Sequence, residues 1–156
     1  MGADITAVDV RRYTALHLVA ERGHESIVKL LLETGADVKA GGDGELTALH
    51  FAAYNGHELT VKLLLEMGAD IEAVDNDQWT ALHFAAGSGH EPLVKLLLEM
   101  GADIEAVNYV GRTAMVLAKD QGHEKIVQLL EKYMVTGTAV VETDENEGGG
   151  GVSQEE

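Results

Sequence analysis

The sequence contains no cysteine, so neither a disulfide framework nor thiol chemistry is open to it. That suits a reducing compartment and is consistent with cytoplasmic expression. No apolar run approaches the ~20 residues that a membrane helix needs. Met1-Gly2-Ala3-Asp4 lacks the basic and apolar segments of a signal peptide, so no membrane partner is expected. Basic side chains are scarce: 11 Lys and Arg face 27 Asp and Glu, a formal net charge of −16. A charge of that sign repels nucleic acid and anionic lipid and favours a basic or mixed-charge partner. The excess is uneven. Residues 134–156 carry six acidic and no basic side chains, which leaves −10 to the first 133 residues.

Catalytic and metal-binding patterns are equally thin. His24-Glu25 resembles the start of a His-Glu-x-x-His zinc helix, but the second His position holds Val28, and likewise Val61, Val94 and Val127. Ser88 lacks the glycine frame of a nucleophile elbow, because Ala86 and His90 flank it. Gly41-Gly42-Asp43-Gly44 has no following Lys-Ser/Thr to hold a phosphate and reads as a loose turn. Asp75-Asn76-Asp77 opens like a calcium loop without the later Gly and Glu. No catalytic residue, metal or cofactor is therefore expected.

What the chain does have is internal repetition, the first thing to test in any sequence. A 33-residue unit begins at Gly2, Gly35, Gly68 and Gly101, and every unit opens Gly-Ala-Asp. Thr-Ala follows at Thr14, Thr47, Thr80 and Thr113, and Gly-His-Glu at Gly23, Gly56, Gly89 and Gly122. The third unit shows the local code. Asp75-Asn76-Asp77-Gln78-Trp79 is polar and turn-like. Thr80 is an N-cap candidate for a short helix beginning at Ala81. Gly89 can take positive φ beyond that helix. Glu91 and Pro92 suit the first turn of a second helix, by dipole and by fixed φ. One such helix pair cannot bury its own apolar faces, so stability must come from interfaces between neighbouring units. Two sets of equivalent positions are expected in the core: Val28, Val61, Val94 and Val127, and Leu30, Leu63, Leu96 and Leu129.

The period and the segments Thr14-Ala15-Leu16-His17, Thr47-Ala48-Leu49-His50 and Thr80-Ala81-Leu82-His83 resemble the ankyrin repeat. The resemblance covers residues 2–133. It implies an all-α solenoid of four stacked turn-helix-helix units, residues 2–34, 35–67, 68–100 and 101–133. It also implies that His17, His50 and His83 make side-chain hydrogen bonds that hold turn and helix. Ala15, Ala48, Ala81 and Ala114 stand where the family usually has Pro. The last unit departs further, with Met115-Val116 in place of Leu-His, and Gln128, Glu131 and Lys132 read as a partly polar C-terminal cap. The near-identity of the units points to consensus or computational design, or to a recent natural duplication. The first unit starts directly at its turn with no polar cap helix before it, so its stacking face is expected to be partly open to water and a route to self-association.

Positions that agree between units belong to the stack; positions that differ are free to do something else. The differences cluster at the turn tips and at the ends of the first helices. From the tips come Arg11, Arg12, Tyr13, Glu45, Leu46, Asp77, Gln78, Trp79, Tyr109 and Arg112; from the helix ends come Arg22, Tyr54, Asn55 and Ser88. They include the only Trp and three of the four Tyr, and aromatic and Arg side chains dominate binding hot spots. The resemblance implies that they line one concave, protein-binding surface. Arg12, Glu45 and Gln78 fall where the family commonly has Gly, as Gly111 still does. Arg11, Arg12 and Arg22 make the first end basic, and Asp43, Glu45 and Asp77 make the centre acidic.

Beyond Tyr133 the pattern stops. Residues 134–141 are largely apolar and β-branched and are expected to be extended. Residues 142–156, acidic with Gly148 to Gly151 in a row, are expected to form a flexible tail. Such a tail could act as a solubilising appendage or as a segment that docks on a repeat surface. The leading expectation is a non-enzymatic, engineered protein-binding scaffold for a protein or peptide partner. The alternative is a designed or consensus structural protein with no selected partner.

Overall fold

The computed structural model describes residues 2–137. Among these all regular structure is helical. Four helix pairs follow one another: α1 (Ala15–Arg22) with α2 (Glu25–Glu33), α3 (Ala48–Tyr54) with α4 (Glu58–Glu66), α5 (Ala81–Gly87) with α6 (Glu91–Glu99), and α7 (Ala114–Asp120) with α8 (Glu124–Thr136). The first helices pack in a row, α1 on α3 on α5 on α7, and the second helices form a parallel row behind them. This is a solenoid, two helical layers deep.

Each first helix starts where the sequence predicts, at a threonine in extended backbone. His50 N–H donates to Thr47 Oγ1 at 3.3 Å while Thr47 N–H donates to His50 Nδ1 at 3.0 Å. Thr80 and His83 repeat the exchange at 3.3 and 3.1 Å. Two orphan donors of the helix start are thus satisfied reciprocally. Because Nδ1 accepts, the ring proton sits on Nε2, and Nε2 donates into the next unit. His17 reaches Ala40 O at 2.9 Å, His50 reaches Ala73 O at 2.9 Å and His83 reaches Arg112 O at 3.0 Å. These three rings are buried and act as rivets between units. Burial pushes all three below the ordinary histidine value, against the smaller opposing effect of their backbone acceptors.

A second set of rivets runs the other way. His57 Nε2 donates to Glu21 O at 2.9 Å, His90 to Tyr54 O at 2.8 Å and His123 to Gly87 O at 3.2 Å. The glycine of the first three Gly-His-Glu segments makes room for the following unit's ring. A Cβ on Gly23 would stand 2.6 Å from His57 Nδ1, and one on Gly56 2.6 Å from His90 Nδ1.

Val28, Val61, Val94 and Val127 are all buried, as expected. The leucine set is not uniform, and here the expectation needs correction. Leu129 is buried and Leu63 and Leu96 are half-buried, but Leu30 is 59% exposed. Among the described residues no unit lies before α1 and α2 to cover it. Leu18 and Ile27 are exposed in the same first unit.

The end of the stack also differs from the sequence expectation. Residues 134–136 are not extended: α8 continues to Thr136 and closes at Gly137 with φ +76. Extending a formed helix costs little compared with nucleating one. Tyr133 anchors this last stretch, its hydroxyl donating to Leu98 O at 3.1 Å. Gln128, Glu131 and Lys132 are exposed, as a polar cap requires. The expectation for residues 138–156 lies outside the described residues.

Candidate functional site

The turn tips are held by carboxylate and amide side chains one position before the divergent residues. Asp9 Oδ1 accepts from Arg11 N and Tyr13 N, Asp75 Oδ1 from Asp77 N and Trp79 N, and Asn108 Oδ1 from Val110 N and Arg112 N. These bonds, led by the one from Tyr13, lower the Asp9 carboxyl below its usual value. Each tip is tied to its neighbour through the backbone: Asp43 N to Arg11 O, Asn76 N to Gly44 O and Tyr109 N to Asp77 O, all within 2.8–2.9 Å. The tips therefore form one continuous ladder that carries the divergent side chains.

Arg12, Glu45 and Gln78 occupy the left-handed region, with φ of 65°, 60° and 64°, matching Gly111 at 78°. The non-glycine residues have not rebuilt the turn; they accept its strain. The second tip does differ in one respect, since Gly44 beside Glu45 is also left-handed, at φ 72°. There Gly42 replaces the anchoring carboxylate.

Gly42 also explains a correction. Tyr13 was expected on the binding surface, but it is buried. Its ring fills the space beside Gly42, where a Cβ would stand 2.1 Å from the ring. It meets Phe51 edge-on with centroids 5.0 Å apart, and its hydroxyl donates to Asp43 O at 3.2 Å. Burial raises its ionisation above the ordinary tyrosine value. Tyr13 is a stacking residue, with Arg11 lying over its ring at 5.6 Å.

The remaining candidates are wholly or partly accessible. Arg11, Arg12, Arg22, Glu45, Asn55, Asp77, Gln78 and Arg112 are exposed, and so are Tyr54 and Tyr109, at 57% and 78%. Leu46, Trp79 and Ser88 are half-buried. Arg12 Nη1 and Nη2 donate to Gly42 O and Gly41 O at 3.4 Å, and its guanidinium is 4.0 Å from Glu45. Arg112 pairs with Asp120.

Two hollows bring seven of these residues together on the face made by tips and first helices. One, of about 380 Å³, is lined by Asp77, Trp79, Asn108, Tyr109, Val110, Arg112 and Leu117. The other, of about 510 Å³, is lined by Tyr54, Asn55, Trp79, Gly87, Ser88, His90, Leu117 and Gln121. Trp79 packs on Phe84 with centroids 5.0 Å apart and belongs to both. Arg11, Arg12, Arg22, Glu45, Leu46 and Gln78 line neither hollow. Six lining residues were not among the sequence candidates: Gly87, His90, Asn108, Val110, Leu117 and Gln121. Val110 and Gln121 carried a signal in differing between units, and Gly87 did so as a glycine at a helical position where the other units have Glu21, Tyr54 and Asp120.

No helix among the described residues is long and apolar enough to cross a membrane. No curated protein matches the sequence. A family model described as ankyrin repeats (3 copies) matches residues 1–75 and 70–140. Ankyrin repeats are generally protein-binding scaffolds and typically non-enzymatic. With the period, the Thr-His helix starts and the two rows of helices, that match places this chain in the ankyrin repeat family.

Proposed function

We propose that the chain is a non-enzymatic protein-binding scaffold whose partner docks on the concave face of turn tips and first helices. One observation carries the reading. The recurring valines Val28, Val61, Val94 and Val127, and the rings of His17, His50 and His83 in the first three units, are buried. The divergent candidates at the tips and helix ends, Tyr13 apart, are wholly or partly accessible, and seven of them line two adjoining hollows. A rigid stack loses little conformational freedom on binding, which favours affinity from a small number of anchors. Three aromatic side chains, Tyr54, Trp79 and Tyr109, supply such anchors.

The test is affinity capture with two surface variants of equal size. One is Tyr54→Ala, Trp79→Ala, Tyr109→Ala; the other is Glu33→Ala, Lys62→Ala, Glu99→Ala on the second helices. Circular dichroism controls for folding of both. The proposal expects a saturable partner lost with the first variant and kept with the second. Loss with the second alone refutes the face. Absence of any saturable partner supports a structural protein without one.

A further inference from the structure

Gly87 is the residue that the stack does not explain. It closes α5 in ordinary helical backbone, unlike the glycines with positive φ, so the chain conformation does not demand it. A Cβ there would meet Leu117 at 3.8 Å and Trp79 at 3.9 Å, both ordinary contacts. Sterics do not demand it either. Equivalent positions carry the full side chains of Glu21, Tyr54 and Asp120. The missing side chain leaves space, and Gly87 accordingly lines the larger hollow.

That hollow and its neighbour share Trp79 and Leu117 as a common wall. Their exposed lining is mainly apolar; Tyr54 belongs to one alone, and Tyr109 and Val110 to the other alone. Two apolar recesses separated by one indole suit side chains i and i+2 of an extended segment, which point the same way about 7 Å apart. The charges select the rest. Arg112 is neutralised by Asp120, whereas Asp77 lines the smaller hollow and has no ion pair among the described residues. The site is left with an unmatched carboxylate on a chain of net charge −16.

We infer that the gap above Gly87 and the recess beside Asp77 form a two-pocket groove astride Trp79 for an extended peptide segment with two large apolar side chains at i and i+2 and a flanking Lys or Arg. This rests on the tip-and-first-helix face being the binding surface and specifies where on it, and what, the chain binds. Gly87 sets the depth of one pocket, Trp79 divides the two, and Asp77 draws the cation.

The probe is a displayed library of random 12-residue peptides panned against the full chain, with enriched peptides then synthesised. Trp79 is the only tryptophan, so its emission reports binding directly. The expected peptides carry the apolar pair with an adjacent Lys or Arg and shift the Trp79 emission saturably. Gly87→Tyr, which installs the side chain of the second unit, should weaken them at least about tenfold while the urea midpoint stays level or rises. Asp77→Lys should weaken them by roughly fivefold at low salt and less at about 0.5 M salt, where charges are screened. Peptides that bind Gly87→Tyr as tightly as the parent overturn the inference. If those peptides are instead lost with Arg12→Ala, Glu45→Ala, the two-pocket groove fails but the face survives. If no peptide binds saturably, or binding maps to the second helices, both fail.

Discussion

The left-handed backbone at Arg12, Glu45 and Gln78 stores strain that a single substitution to glycine can release. Gln78 sits at φ 64°, exposed, and its side chain makes no hydrogen bond among the described residues. An L-residue in this region costs roughly 1–2 kcal/mol relative to right-handed backbone, and glycine removes that cost. Glycine also adds about 0.4–1 kcal/mol of unfolded-state freedom. The difference predicts that Gln78→Gly stabilises the chain by roughly 0.5–1 kcal/mol. Gly111 at φ 78° supplies the reverse experiment, and Gly111→Gln should destabilise by a similar amount. Urea unfolding followed by circular dichroism reads both as shifts in midpoint at unchanged slope. A destabilised Gln78→Gly, or a Gly111→Gln that is neutral, would refute the assignment of strain to these tips.

Three further outcomes follow from the packing. Stability should fall as pH drops below the unfolded-state histidine value of 6.5: burial lowers His17, His50 and His83 in the folded state, so the unfolded chain binds more protons through that window. Urea midpoints at several pH values check this, and a midpoint that rises on acidification from neutrality to below 6 contradicts it. Gly56→Ala should cost more than about 2 kcal/mol, because it adds a collision with His90 to the strain at φ +75, whereas Gly122→Ala, with nothing within 4 Å, should cost only about 1 kcal/mol. Equal losses would show that the His57-type rings do not constrain the glycines. Tyr13→Ala should cost about 3 kcal/mol as a large-to-small core change and Tyr13→Phe about 1 kcal/mol for the lost hydrogen bond to Asp43 O; thermal melts that leave Tyr13→Ala unchanged would return that ring to the surface.

The repeat unit, its helix starts at Thr14, Thr47, Thr80 and Thr113, and its valine core were legible in the sequence, because each depends on contacts that recur in every unit. What escaped the sequence depends on a residue's neighbours in the row. Leu30 and Leu129 share a repeat position, yet one is exposed and the other buried, since burial depends on what lies next in the stack. Tyr13 and Trp79 are likewise equivalent, but Tyr13 sinks against Gly42 while Trp79 stays half-buried with Asn108 in the corresponding place of the next unit. A residue's role there is written in the following unit, 33 positions away. The helical residues 134–136 were missed for a similar reason: β propensity is local, and an already formed helix anchored by Tyr133 overrides it.

Hydroxyl-radical footprinting of the chain, free and saturated with a captured partner, tests the binding account most directly. The account predicts protection at Tyr54, Trp79 and Tyr109, with the buried Tyr13 silent in both states and Leu30 unchanged. Protection concentrated on the second helices, or at Leu18, Ile27 and Leu30 with the three aromatics still reactive, would contradict it.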